Sequence, residues 1–260
     1  MADKSLRGSM IRAKNKYWAA VSPPRPKMAG FAQDRADADR AQASGPIGRL
    51  FFENDAEIVH KWLHYLPIYE KLFAPFVGTP VRFLEIGVSK GGSLRLWRRY
   101  FGDAATLFGI DVDPTCAAQN GRYAQVRIGS QDDAAFLGGV VAEMGGLDVV
   151  LDDGSHVARH QRASFETLFP KLSEGGLYVL EDLQTAYWPN YEGGLRRPGT
   201  AIEFLKAKVD DMHRPYFARG ANVPHAMTDI ESVQFFDAIA AVAKRKQAPR
   251  RHVMSPTPGG

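Results

Sequence analysis

A single cysteine, Cys116, stands in 260 residues, which excludes an internal disulfide and a cysteine-based zinc cluster. No stretch approaches the ~18 consecutive apolar residues that a membrane span requires. The opening MADKSLRGSMIRAKNKYW is basic without an apolar core, so it does not read as a secretory signal. These absences lead to the expectation of a cytoplasmic protein with no membrane partner. Excess charge of one sign is missing too, with a formal net of +4. That balance is uneven along the chain. Residues 1–27 hold seven Lys/Arg and one acid, residues 241–260 hold five and none, and 28–240 carries a net −7. A body that grips a phosphate backbone shows the reverse, so no nucleic-acid partner is expected.

What is present suits a folded chain. Apolar residues make up 45% of the sequence, too many for a wholly disordered polymer. Residues 1–45 contain VSPPRPK and DRADADRAQASG and have little to bury, so they read as a disordered basic and polar tail. Residues 46–243 read as one domain, and 244–260 as a flexible basic tail. Between Leu50 and Phe76, Trp62, Leu66, Tyr69 and Phe73 recur at helical spacing, with Pro67 expected to break or kink the stretch.

The rhythm then changes. Five apolar runs, at 81–87, 106–111, 124–129, 147–153 and 176–182, alternate with helical patterns at 93–101, 132–144 and 160–172. Such alternation predicts a doubly wound α/β architecture with a mostly parallel, seven-stranded sheet behind a helical N-terminal segment. A further helix is expected near 201–212. The runs ESVQFF and AIAAVAKR would close the sheet as an antiparallel pair, although AIAAVAK alone fits a helix equally well.

Carboxylates follow four of the five runs: Glu85, Asp111 with Asp113, Asp152 with Asp153, and Glu181 with Asp182. Ligands of open α/β sheets bind outside the carboxyl ends of the strands. Clustered acids there repel one another unless a cation lies among them, so a cationic ligand, a metal, or both are expected. The first strand end reads Glu85-Ile-Gly87-Val-Ser-Lys-Gly91-Gly92-Ser93. Its glycines allow a ligand close to the backbone, but Glu85 stands where the dinucleotide fingerprint needs glycine. Asp111 follows Gly87 by 24 positions, where an acid can accept from both hydroxyls of a ribose.

The ExGxxxG turn, with Asp111 and then Gly129-Ser130-Gln131-Asp132 after the third run, resembles class I S-adenosylmethionine-dependent methyltransferases. The stretches Asp152-Asp153-Gly154-Ser155-His156 and Glu181-Asp182-Leu183-Gln184-Thr185 with Tyr187-Trp188 are more specific. Together with His60-Lys61-Trp62-Leu63-His64-Tyr65, they resemble the metal-dependent macrolide and rhamnosyl sugar O-methyltransferases. They are also similar to the related cephalosporin-hydroxylase-like family. The resemblance covers roughly residues 50–245 and departs from the family pattern at His60, where an acid is expected.

The resemblance implies a methyl transfer from S-adenosylmethionine to a hydroxyl of a sugar or glycosylated natural product, with magnesium required and a homo-oligomeric state favoured. It implies cofactor contacts from Glu85, Gly87, Gly91, Ser93, Asp111, Gln131, Asp132, Asp152 and Tyr65. The metal ligands would be Asp153, Glu181 and Asp182, and His156 the general base. A trio of carboxylates is independently suited to a hard divalent cation. Several alternatives stay open: Asp132 as a helix cap, His160 as a rival base, and Tyr187 and Trp188 as either acceptor wall or core. So do two other functions, an oxygenase component with a redox-active metal and a non-catalytic cofactor-binding protein.

Overall fold

A computed structural model describes residues 40–218 and 227–255; most of the expected N-terminal tail and the end of the C-terminal tail lie outside the described residues. Seven strands form one sheet: β1 Arg82–Ile86, β2 Thr106–Asp111, β3 Gln125–Ile128, β4 Leu147–Asp152, β5 Leu172–Leu180, β6 Ile230–Phe235 and β7 Ala240–Lys244. The helices are α1 Pro46–Phe52, α2 Tyr65–Phe73, α3 Gly92–Phe101, α4 Ala134–Met144, α5 Ala158–Leu168 and α6 Ala201–His213. The sheet order is β3-β2-β1-β4-β5-β7-β6. Strands β1 to β5 pair in parallel, and β7 enters antiparallel between β5 and β6. The chain therefore winds outward from β1 in one direction, then returns to β4 and winds in the other. The switch lies between β1 and β4, where Ile86 is level with Asp152.

Both faces of the sheet are covered, which is why its strands read as continuous apolar runs. Phe83, Leu107, Val149, Leu151 and Val179 pack with α2 and α3 through Tyr69, Phe73, Trp97 and Phe101. Leu84, Phe108, Val150, Tyr178 and Val242 pack on the other face with α4, α5 and α6 through Leu137, Phe165, Leu168 and Leu205. Ala240, Ala241 and Val242 are completely buried. AIAAVAK is thus a strand: flanked by β5 and β6 and covered on both faces, it has no polar side to expose as a helix would.

Three expectations shift. Pro67 lies in the first turn of α2, where its missing N–H costs nothing, so it marks a helix start. Residues 53–64 before it form no helix. The pattern at 160–172 ends as an α-helix at Leu168, and Pro170 lies in the 3-10 turn Phe169–Lys171. Finally, the cap of α4 is Asp133, whose carboxylate accepts from the N–H groups of Ala135 and Phe136. Asp132 is not the cap.

Candidate active site

The carboxyl ends of β1, β2 and β4 enclose a cleft of about 320 Å³ lined by Gly87, Ser89, Asp111, Gly129, Gln131 and Asp153, among others. Gly87 carries φ +97°, and a Cβ there would lie 2.1 Å from the Asp153 carbonyl oxygen. The position therefore requires glycine for both torsion and space. Gly91, at φ +78°, begins α3; it lines neither this cleft nor the next. Asp111 Oδ2 accepts from the backbone N–H groups of Val88 and Ser89 at 2.9 and 3.0 Å, and Oδ1 from that of Asp113 at 2.9 Å. Partial burial would push this carboxyl up, but the N–H donors outweigh it and hold it below its ordinary value. An ionised carboxylate with acceptor capacity left on Oδ1 thus stands at the rim.

A second cleft, also about 320 Å³, adjoins the first at Gly87, Ser89 and Asp153. It gathers Lys61, Tyr65, Ser93, Asp153, His156, Glu181 and Asp182. His156 Nε2 lies 3.8 Å from Asp153 Oδ1 and 3.5 Å from Asp182 Oδ2. One ligand atom from each of these three residues falls within 4.8 Å of the others. Tyr65 donates to Asp182 Oδ1 at 2.7 Å. Burial raises the Asp182 carboxyl, but the nearby imidazole and the Tyr65 hydroxyl more than offset this and leave it lowered. Glu181 is engaged differently. Lys61 Nζ donates to both of its oxygens, at 3.0 and 2.8 Å, and to Asp153 Oδ2 at 2.5 Å. Burial and the Asp153 charge push Glu181 well up, with the Lys61 ammonium acting in the opposite sense.

Three non-glycine residues at these strand ends adopt the left-handed backbone: Ser89 at φ 47°, His156 at 56° and Asp182 at 55°. Such torsions cost of order 1 kcal/mol or more each and persist where the surroundings fix them. At His156 and Asp182 they accompany the approach of the imidazole to the second carboxylate.

Two expected cofactor contacts turn inward, away from both clefts. Asp152 is fully buried, and its carboxylate accepts from Gln131 Nε2, Ser164 Oγ and the Tyr178 hydroxyl at 3.0, 2.7 and 2.9 Å. Glu85 is also fully buried, and accepts from Ser93 Oγ and Trp97 Nε1 at 2.8 and 3.1 Å. Neither lines a cleft. Each fixes a neighbour that does: Glu85 holds Ser93, and Asp152 holds Gln131, whose Oε1 accepts from the Ser155 N–H at 2.8 Å. Asp132 likewise lines neither cleft. It accepts from Ser130 Oγ and lies 3.5 Å from His160 Nε2, while His160 Nδ1 meets Ser155 Oγ at 2.9 Å. His160 is thus tied to the first cleft, away from the base role. Trp188 is buried and Tyr187 half-exposed, with neither lining these clefts.

Lys61 escaped sequence reasoning. The signal available was indirect: a three-carboxylate cluster at strand ends needs a counter-charge, but the sequence does not say which base supplies it.

The donor set fits a divalent cation. Three carboxylates and one ammonium leave a formal deficit of two positive charges, and the carboxylate oxygens suit magnesium or a similar hard ion, with the imidazole left out of the ligand set. Among the described residues the cluster contains one imidazole, whereas the facial triad of non-haem iron oxygenases uses two. The first cleft fits a nucleoside cofactor, with a glycine turn open to close approach and an ionised acid 24 residues on.

Residues 84–183 match the methyltransferase domain family model. The chain is 44% identical over 179 residues to the 8-demethyl-8-(2-methoxy-alpha-L-rhamnosyl)-tetracenomycin-C 3'-O-methyltransferase of Streptomyces olivaceus, covering 65% of this chain and 45% of that protein. It is 39% identical over 201 residues to the 8-demethyl-8-alpha-L-rhamnosyl tetracenomycin-C 2'-O-methyltransferase of the same organism, covering 71% and 52%. Among solved structures, the MycE methyltransferase of the mycinamycin biosynthetic pathway, in complex with Mg, SAH and mycinamycin VI, superposes with a TM-score of 0.66. That match has 31% identity and covers 77% of this chain and 53% of MycE. The chain spans about half the length of the curated relatives it matches.

Proposed function

We propose, from the match of residues 84–183 to the methyltransferase domain family and from the class I methyltransferase fold, that the chain methylates a hydroxyl of a sugar-containing natural product. S-adenosylmethionine would be the methyl donor, and a divalent cation, magnesium, would be held by Asp153, Asp182 and Glu181. The observation that carries this reading is the convergence of His156 Nε2 with Asp153 Oδ1 and Asp182 Oδ2 beside the Gly87–Asp111 cleft. The named activities of the relatives, O-methylation of rhamnosyl tetracenomycins, supply the acceptor class.

When bound, the cofactor offers a methyl on a sulfonium, and the metal acidifies a coordinated hydroxyl. The chain's own residues do the rest. Asp111 accepts from the ribose, with its carboxylate aimed by the N–H groups of Val88 and Ser89. Gly87 lets the cofactor pass close to the backbone beside Asp153. His156 takes the acceptor hydroxyl proton at Nε2, which requires the tautomer with its proton on Nδ1. Tyr65 keeps Asp182 in place. Much of the acceleration comes from holding hydroxyl and methyl in line.

The test is transfer of radiolabelled methyl from S-adenosylmethionine to a panel of rhamnosylated aglycones and macrolides. Parent protein with magnesium should label at least one member, and His156→Gln should lower turnover by about 10²-fold or more while leaving the cofactor Kd unchanged. Labelling that His156→Gln does not reduce would remove the base from the scheme.

A further inference from the structure

Lys61 belongs to a strap, residues 53–64, that crosses the mouth of the second cleft without regular helix. The strap is anchored at several points. Arg95 on α3 donates to Asn54 and Asp55, and Gly92 lies so close to the Ile58 carbonyl that a Cβ there would approach it to 2.3 Å. Tyr65 and Leu66 close turns back to Trp62 and Leu63. On this strap the Lys61 side chain is only 4% exposed, and its ammonium also lies 5.8 Å from the centre of the Tyr69 ring.

Its partners matter more than its burial. Lys61 occupies both oxygens of Glu181 and Oδ2 of Asp153. The oxygens left facing His156 are Asp153 Oδ1 and Asp182 Oδ2. A cation seated there therefore meets Asp153 and Asp182 first; the Glu181 oxygens keep acceptor capacity, but they are reached only against the charge of the adjacent ammonium. We propose that Lys61 is a tethered cation that holds Asp153 and Glu181 in position while the divalent ion is absent and competes with that ion for their oxygens. Lys61 is thus a positioning residue that sets metal affinity. The inference rests on the metal reading given above.

The physical reasons act in opposite directions. Without Lys61, the buried Glu181 and the half-buried Asp153 lose their counter-charge, which costs stability in metal-free protein. The same loss removes a like charge from beside an incoming cation, which raises metal affinity. Holding the carboxylates and weakening the ion are two results of one contact.

The experiment uses the full chain and two variants, Lys61→Met and Lys61→Arg, in thermal unfolding with EDTA and across a magnesium series. Mn2+ binding is read in parallel by electron paramagnetic resonance. Lys61→Met is expected to melt below the parent in EDTA, to recover with magnesium, and to bind Mn2+ at least about tenfold more tightly. Lys61→Arg keeps the charge on a larger planar head; it should melt near the parent in EDTA and bind Mn2+ more weakly than the parent. Should Lys61→Met fold only with magnesium, that requirement itself supports the role. Parental Mn2+ affinity in both variants overturns the inference while leaving the metal site standing. No Mn2+ or magnesium response in the parent overturns the metal reading, and the inference with it.

Discussion

Glu85 shows what a fully buried carboxyl does to a fold of this kind. Burial, and secondarily the Asp153 charge, push it up from 4.5 to about 7, against the pull of Lys61, Ser93 and Trp97. Between those two values the folded chain retains a proton that the unfolded chain has released. The folded state binds more protons there, so this group's contribution to stability falls as pH rises through that window. Glu85→Gln should keep the contact to Ser93 and flatten that dependence. Urea unfolding of parent and variant at about pH 5 and about pH 7.5 measures it, and an identical pH slope in the two proteins would show that Glu85 does not titrate as described. Asp111 behaves oppositely. Three backbone N–H donors keep it lowered, so its contribution is present at neutral pH and is lost as pH falls through the acid range.

At the scale of elements, the turn from β1 into α3 is the part with least tolerance. A side chain at position 87 would meet the Asp153 carbonyl at 2.1 Å in a left-handed backbone. Gly87→Ala should therefore cost about 2 kcal/mol or more and abolish cofactor binding, as read by thermal unfolding and calorimetry together. A variant with parental melting temperature and cofactor affinity would mean the turn can relax. The face of the sheet under α2 and α3 is more conventional. Phe83 is completely buried, with Phe73, Trp97 and Phe101 ring centres at 5.1–5.7 Å. Phe83→Ala is expected to cost about 3–5 kcal/mol in denaturant unfolding. A loss under about 1 kcal/mol would contradict the packing described.

Across the whole molecule, two cores share one sheet, so unfolding followed by near-ultraviolet dichroism of the aromatic side chains and by far-ultraviolet dichroism of the backbone should coincide. Separate midpoints would show that side-chain packing is lost apart from the secondary structure. The strand–helix alternation and the acids at the strand ends were legible in the sequence because both are local patterns. Asp153, His156, Glu181 and Asp182 do meet in one cleft. What was not legible needed three dimensions. Asp152 shares the face of Val150, and so turns its carboxylate toward Ser164 on α5 and Tyr178 on β5 rather than toward a ligand. Glu85 shares the face of Phe83 and turns to Trp97. Lys61 stands 92 and 120 positions from its partners, and nothing local sets it apart from the other 32 basic residues. The two adjoining clefts are proposed to hold separate groups, a nucleoside cofactor at Asp111 and a divalent cation at Asp153. Calorimetric titration of S-adenosylmethionine into the parent, Asp111→Ala and Asp153→Ala proteins, with magnesium or EDTA, tells them apart. Asp111→Ala should abolish cofactor binding and Asp153→Ala largely spare it, with a magnesium signal lost only in Asp153→Ala. Absence of cofactor binding under every condition would contradict this proposal.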